Sequence, residues 1–186
     1  MQKIPSLFKR DYEETRLVYD EVVPGCEWVL AGEGVATVKF DGTACKIKDS
    51  RLYKRYEVKK RRQPPSGFIA ADVVDETTGK QPGWVPVGDG PEDKYHREGW
   101  DSAMVWIDGT YELVGPKVQG NPEGMAWHSL ILHGSLRLDV EYPKADPRTF
   151  VDIQQFLTTH DIEGIVWWHK DGRKAKIKKR DFGIQR

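Results

Sequence analysis

Lys39-Phe40-Asp41-Gly42 closes the apolar run 35–40 (VATVKF) at a turn signal, a setting in which a strand end can hold a lysine amine toward a cleft. Chance gives a K-x-D-G tetrapeptide roughly 0.14 times in a chain of this composition, so alone it reads as a surface lysine before a turn. Three more pieces follow in order: Glu112 in TYELVG, Glu163 at the head of EGIVWW, and Lys176 with Lys178 in KAKIKK. A lysine is a nucleophile only as the free amine, and an ordinary pKa near ~10.4 leaves almost none at neutral pH. Neighbouring cations, a metal or burial must therefore lower that pKa if Lys39 is to attack an electrophile. Taken alone, KAKIKK reads equally well as an edge strand guarded by lysines against aggregation.

A lysine, two separated acids and a terminal K-x-K in this order resemble the motifs of the covalent nucleotidyltransferases, which include polynucleotide ligases and RNA capping enzymes. The segments LYKR (52–55), PGWVPV (82–87), YELVGPKVQGNPEG (111–124), HSLILHG (128–134) and EGIVWWHKDGRKAKIKKRDFGI (163–184) sharpen the likeness. They resemble the small, self-adenylylating, ATP-dependent 5′-to-3′ RNA ligases of vertebrate type and their phage and bacterial relatives. Those relatives also begin with an FKRD segment, matched here at 8–11.

The resemblance implies an α+β fold, the mainly antiparallel adenylation domain of ligases and capping enzymes with a few helices, as one domain over 1–186 without an appended OB-fold. It implies that Lys39 takes AMP from ATP, with Lys176 and Lys178 lowering its pKa and neutralising the phosphates. Glu163 would hold a hydrated Mg²⁺, with Mn²⁺ as a substitute, and Glu112 would bind the ribose hydroxyls or share the metal. Arg55, with Lys54 beside it, would contact phosphate and ribose, since an arginine fork suits phosphate. Thr37 would read the adenine amino group with Val38 next to it, or is an ordinary strand threonine. Gly42 would let the backbone approach the nucleotide. The partners implied are RNA ends, with end recognition falling to this domain, its basic clusters or an accessory protein. The chain departs from many ligases in lacking an arginine close behind the tetrapeptide, where Thr43-Ala44-Cys45-Lys46 stands. A GTP-using capping enzyme and a non-catalytic RNA-binding module remain the alternatives.

Charge distribution fits a polyanion partner better than charge total does. The 29 basic residues balance the 29 acidic ones, yet cations crowd 51–62 and 170–180. Such clusters are solvated faces or the two banks of a phosphate-lined groove. Lys59, Lys60, Arg61 and Arg62 in the first and Lys174 in the second are the RNA-binding candidates, with Lys54. Trp84, Trp127, Trp167 and Trp168 are candidates for base stacking, although strand aromatics more often fill cores. His128, His133 and His169 read as packing or hydrogen-bonding residues. Cys26 and Cys45 form no CxxC pair and suggest reduced thiols in the cytoplasm. No run approaches the ~20 apolar residues of a membrane span, and no apolar segment follows the basic start as a signal peptide requires.

The elements that must carry these residues are mostly strands. Runs at 17–23, 27–30, 35–40, 44–48 and 51–59 predict an antiparallel meander. The Pro- and Gly-rich stretch 63–98 predicts a surface excursion with one short element at 68–74. Further strands are expected at 103–107, 110–114, 129–132, 136–140, 164–168 and 174–178. One helix is expected over 147–157, with Asp146 as N-cap and Pro147 at the first position.

Overall fold

The computed structural model describes residues 3–186. In chain order its elements are β1 (Phe8–Arg10), β2 (Val18–Val22), α1 (Glu27–Leu30), β3 (Val35–Lys39), β4 (Thr43–Lys48), β5 (Arg51–Val58), β6 (Ile69–Ala70) and β7 (Gln81–Pro86). Then come α2 (Lys94–Trp100), β8 (Gly109–Val114), β9 (Ser129–Leu132), α3 (Leu138–Glu141), α4 (Phe150–Thr159), β10 (Gly164–Trp168) and β11 (Lys174–Lys178). The class is α+β with antiparallel sheets and few helices. Two compact units emerge, one of Ile4–Phe40 with Gly134–Arg186, the other containing Asp41–His133.

In the first unit β3, β10 and β11 form a sheet in the order β11-β10-β3. Cross-strand neighbours share a face, so the register sorts the side chains into rows. Val38, Ile165 and Ile177 form one row, and Ala36, Trp167 and Ala175 the next; all six are buried in one cluster with Ile153 and Leu157 of α4. Each large aliphatic side chain buried there is worth about 1.5–3 kcal/mol relative to exposure, which decides which face turns inward. The opposite face carries Lys39, Gly164 and Lys178 in one row, Thr37, Val166 and Lys176 in the next, and Val35, Trp168 and Lys174 in the third. Residues 5–7 cover the outer edge of β11: Leu7 N–H donates to the Lys176 carbonyl (2.8 Å) and Lys176 N–H to the Pro5 carbonyl (3.0 Å).

The second unit is a six-stranded sheet in the order β6-β7-β5-β4-β8-β9. Cys45, Ile47, Leu52, Tyr111, Leu113, Val118 and Leu130 form its own core.

Several elements differ from expectation for identifiable reasons. The run 35–40 leaves the expected meander, because β3 pairs with β10 and only β4 and β5 form a hairpin. Residues 27–30 are a helical turn, anchored by Trp28 Nε1–H donating to the Gly25 carbonyl (3.0 Å). Within 63–98 the element at 68–74 shrinks to β6, while 81–86 is an internal strand despite Pro82 and Pro86. The Pro82 carbonyl accepts from Ala71 N–H on the β6 side. Even-numbered residues of β7 therefore face β6, which is two residues long, so the prolines' missing N–H groups fall where little pairing is needed.

Residues 94–100 are a helix, and 103–107 lie outside any strand with Met104, Val105 and Ile107 exposed. At 136–140 the expected strand is replaced: the Leu136 carbonyl accepts from Val38 N–H (2.9 Å), and the chain then turns into α3 to bury Leu138. The long helix starts at Phe150 with Thr149, not Asp146, as N-cap, its Oγ1 accepting from Asp152 N–H (3.2 Å). Asp146 pairs with Arg148 instead.

Gly164 is required by close approach between strands. A Cβ there would lie 2.1 Å from the Ile177 carbonyl oxygen and 2.9 Å from Lys178 Cα, both backbone atoms that cannot swing aside. Gly164→Ala is expected to cost at least about 2 kcal/mol, lowering Tm by roughly 4–8 °C. A melting curve that coincides with wild type would refute this packing.

Candidate active site

The polar face of the β11-β10-β3 sheet brings together four of the residues singled out above. Lys39 ends β3, Lys178 ends β11, and Gly164 between them contributes no side chain. Glu163 immediately precedes β10, is buried, and accepts from both ammonium groups: Lys39 Nζ at Oε2, and Lys178 Nζ at Oε1 (2.6 Å). Lys39 Nζ also donates to the Phe40 carbonyl (3.1 Å). Burial works against the charge on Glu163, but Lys39 and Lys178 outweigh it and hold the carboxyl below its ordinary pKa.

Lys176 lies in the next row. Burial first, and then the positive charges of Lys178 and Lys39, push its pKa below that of an ordinary lysine. With Lys39, Lys176 and Lys178 set against Glu163, and Asp181 acting on Lys176 from beyond the strand end, this face carries more cations than acids and is suited to phosphate oxygens.

Thr37 is buried in the same row as Lys176, across Val166 from it, its hydroxyl donating to the Val166 carbonyl (3.0 Å) and accepting from Trp168 Nε1–H (2.8 Å). Val38 turns its side chain into the core. Lys174 places its ammonium 4.2 Å from the Trp168 ring centroid, a cation–π contact. Asp181 adds a support that sequence reading missed. Its Oδ2 accepts from Lys178 N–H (2.9 Å), and its Oδ1 pairs with Arg10 of the FKRD segment. The one available signal was an acid three residues beyond Lys178 at the strand end.

In the unit containing Asp41–His133, Gly42 N–H donates to Glu112 Oε1 (3.0 Å). A Cβ on Gly42 would lie 2.1 Å from the Leu113 carbonyl oxygen, so glycine is what lets the chain close on β8. The other Glu112 oxygen pairs with His133 Nε2 (2.7 Å), and His133 Nδ1 meets Thr110 Oγ1 (3.0 Å). Asp41 N–H donates to Glu123 Oε1 (2.7 Å). Two carboxylates thus hold consecutive amides of the tetrapeptide, and neither His133 nor Glu123 could be assigned that task from spacing alone. Arg55 stacks over Trp84, 5.1 Å from its ring centroid. Lys54 pairs with the buried Asp93, while Lys59, Lys60, Arg61 and Arg62 are exposed.

Among the described residues no group of three or more His, Cys, Asp and Glu side chains is placed to hold a metal ion. Mg²⁺ commonly binds through one or two carboxylates completed by water and substrate phosphates. Both Glu163 oxygens accept from lysine ammonium groups and both Glu112 oxygens from Gly42 N–H and His133, so either carboxylate would take a metal only by releasing a partner, as a polyphosphate drawing Lys39 and Lys178 away from Glu163 would allow. Burial raises the thiol pKa of both Cys26 and Cys45, so neither is an activated nucleophile.

The ion cluster has a signed pH dependence. Because the folded pKa of Glu163 is depressed, its stabilisation is complete above the ordinary carboxylate range and is lost as pH falls through the depressed value. Glu163→Gln is expected to cost roughly 1–3 kcal/mol at neutral pH and to flatten the fall of Tm with acid below about pH 4. Parallel acid limbs for the two proteins would contradict the cluster. Lys176 has the opposite character: its charged form is penalised by folding, in full below its depressed pKa and with relief as pH rises toward the ordinary lysine value. Lys176→Met should accordingly gain stability at neutral pH and lose that advantage in alkali, read from paired thermal melts; a uniform loss would contradict it.

Comparison with known proteins finds relatives of one name. A family model described as RNA ligase 1 matches residues 104–186, which takes in Glu112, Glu163, Lys176 and Lys178 and leaves Lys39 outside. RNA ligase 1 of Danio rerio is 26% identical over 83% of this chain and 62% of its own length. The Pongo abelii protein of that name is 26% identical over 62% of this chain and 45% of its own, and the Mus musculus one 22% identical over 81% and 67%. The chain thus spans about half to two thirds of the length of these relatives. It is similar to proteins named RNA ligase 1.

Proposed function

We propose that this chain is an ATP-dependent RNA ligase built on the nucleotidyltransferase fold. The observation that carries the reading is Glu163 gripping Lys39 and Lys178 on a sheet face whose next row holds Lys176. In the first step the free amine of Lys39 attacks the α-phosphorus of ATP. An N–P bond forms, the P–O bond to pyrophosphate breaks, and the amine's proton passes to solvent or to the departing pyrophosphate. Glu163 fixes the direction of the Lys39 amine, while Lys176 and Lys178 neutralise phosphate oxygens and charge developing on the leaving group. Mg²⁺ or Mn²⁺ arriving with ATP would neutralise the triphosphate, held at Glu163.

In the second step an oxygen of an RNA 5′-phosphate attacks the lysyl-bound phosphorus, forming a 5′–5′ pyrophosphate and returning Lys39 as the amine. In the third, an RNA 3′-hydroxyl attacks the 5′-phosphate, making the phosphodiester and releasing AMP. The roles of Arg55 toward phosphate and of Glu112 toward ribose rest on the sequence resemblance. The exposed Lys59, Lys60, Arg61 and Arg62 suit the RNA backbone. Lys54 is better suited to bracing Asp93. Two buried free cysteines fit a reducing, cytoplasmic setting.

Intact-mass measurement before and after incubation with Mg²⁺ and either ATP or GTP tests the reading. One adenylyl group is expected on the wild-type protein with ATP and none on Lys39→Ala. Label from GTP alone would point to capping chemistry. No adduct with either nucleotide would leave a non-catalytic RNA-binding module.

A further inference from the structure

The unit containing Asp41–His133 has a cleft of about 630 Å³ that the proposed chemistry does not use, formed by α2 with the two residues that follow it and by residues 116–117 and 126–128. One wall is the Tyr95 ring stacked on His128, with centroids 4.6 Å apart and an interplanar angle of 24°. His128 is fixed there: its Nδ1 meets Glu98 Oε2 (2.6 Å) and its Nε2 accepts from Lys117 N–H (3.3 Å), which makes the neutral ring the Nδ1–H tautomer. Its Cδ2 would come within 2.3 Å of a Cβ on Gly115, so the ring lies against backbone and cannot withdraw.

Trp127 lines the same cleft and is 67% exposed; it is the sole tryptophan classed as exposed among the described residues. An indole left in water forgoes the largest burial gain any side chain offers, which calls for an occupant. Lys94 and Lys117 supply positive charge at the lining, set against Glu98 and Asp101. That near balance disfavours a long run of phosphates and suits one base with its own phosphate.

We infer that this cleft binds single-stranded RNA, with a base stacked on Trp127 and the adjoining phosphate met by Lys117 and Lys94. The choice of RNA over another planar anion rests on the ligase reading above. Stacking on an aromatic side chain accepts any base, so the cleft grips a strand without reading its sequence.

The test is fluorescence anisotropy of a labelled single-stranded oligouridylate with the full chain, over a series of salt concentrations. Trp127→Ala should weaken binding by roughly 5- to 150-fold, the worth of one stacked base, while Trp127→Phe, which keeps a π-face, should stay within about threefold of wild type. Lys117→Ala should reduce the salt slope by about 0.7, the contribution of one single-strand phosphate contact. Unchanged affinity in Trp127→Ala, equal losses in the Ala and Phe variants, or no binding by wild type would each overturn the proposal. The adduct measurement on wild-type protein is read separately. Absence of lysyl-AMP together with loss of RNA affinity in Trp127→Ala would sink the ligase reading and leave the cleft assignment standing.

Discussion

Glu163 holds two ammonium groups that arrive on strands from opposite ends of the sequence, and the polar face of the first unit is organised around that grip. Without its charge, Lys39 on β3 and Lys176 and Lys178 on β11 would share one face of the sheet with little to offset their repulsion. Burial alone would neutralise a carboxyl in this position, so the depressed pKa of Glu163 expresses the lysines' dominance over desolvation.

What permits such a cluster is the packing behind it. Ile165, Trp167 and Ile177 are fully buried on the reverse face, and the alternation of a strand then obliges residues 164, 166, 168, 174, 176 and 178 to face the other way. Asp181, braced by Arg10, takes the Lys178 amide, and residues 5–7 occupy the backbone of Lys176. The lysine backbones are therefore fixed by hydrogen bonds that do not involve their ammonium groups. A side chain so mounted can exchange an internal carboxylate for an external anion without loosening the strand that carries it.

This division explains what sequence reading could reach. KAKIK and GIVWW declared their strands because apolar and polar positions alternate or run unbroken, and β10 and β11 start and stop where the pattern does. The site candidates on them followed, since period-two alternation fixes the face of every residue at once. The prolines of β7 hid a true strand, because composition cannot tell which side of a strand lacks a partner. Residues 103–107 and 136–140 have strand-like composition, yet the first pairs with no strand among the described residues and the other is drawn into a turn by burial of Leu138. Likewise the Glu112–His133 and Asp41–Glu123 contacts join residues far apart in sequence through sheet register and loop path, neither of which leaves a local trace.

The three rows of the polar face differ in how they carry charge, and that difference has a consequence for anion binding. The Lys39 and Lys178 row is compensated by Glu163, whereas Lys176 sits beside Val166 and is pushed toward the neutral amine by burial and by its two cationic neighbours. An anion settling on the face reverses the sign of that local field. It stabilises the ammonium form of Lys176, raises its pKa, and by linkage draws a proton from solvent. Phosphate would thus bind together with a proton, more tightly as pH falls toward the depressed pKa of Lys176. Departure of the anion would return that proton. A permanently ionised arginine at this position would lack that proton-linked response to a bound anion.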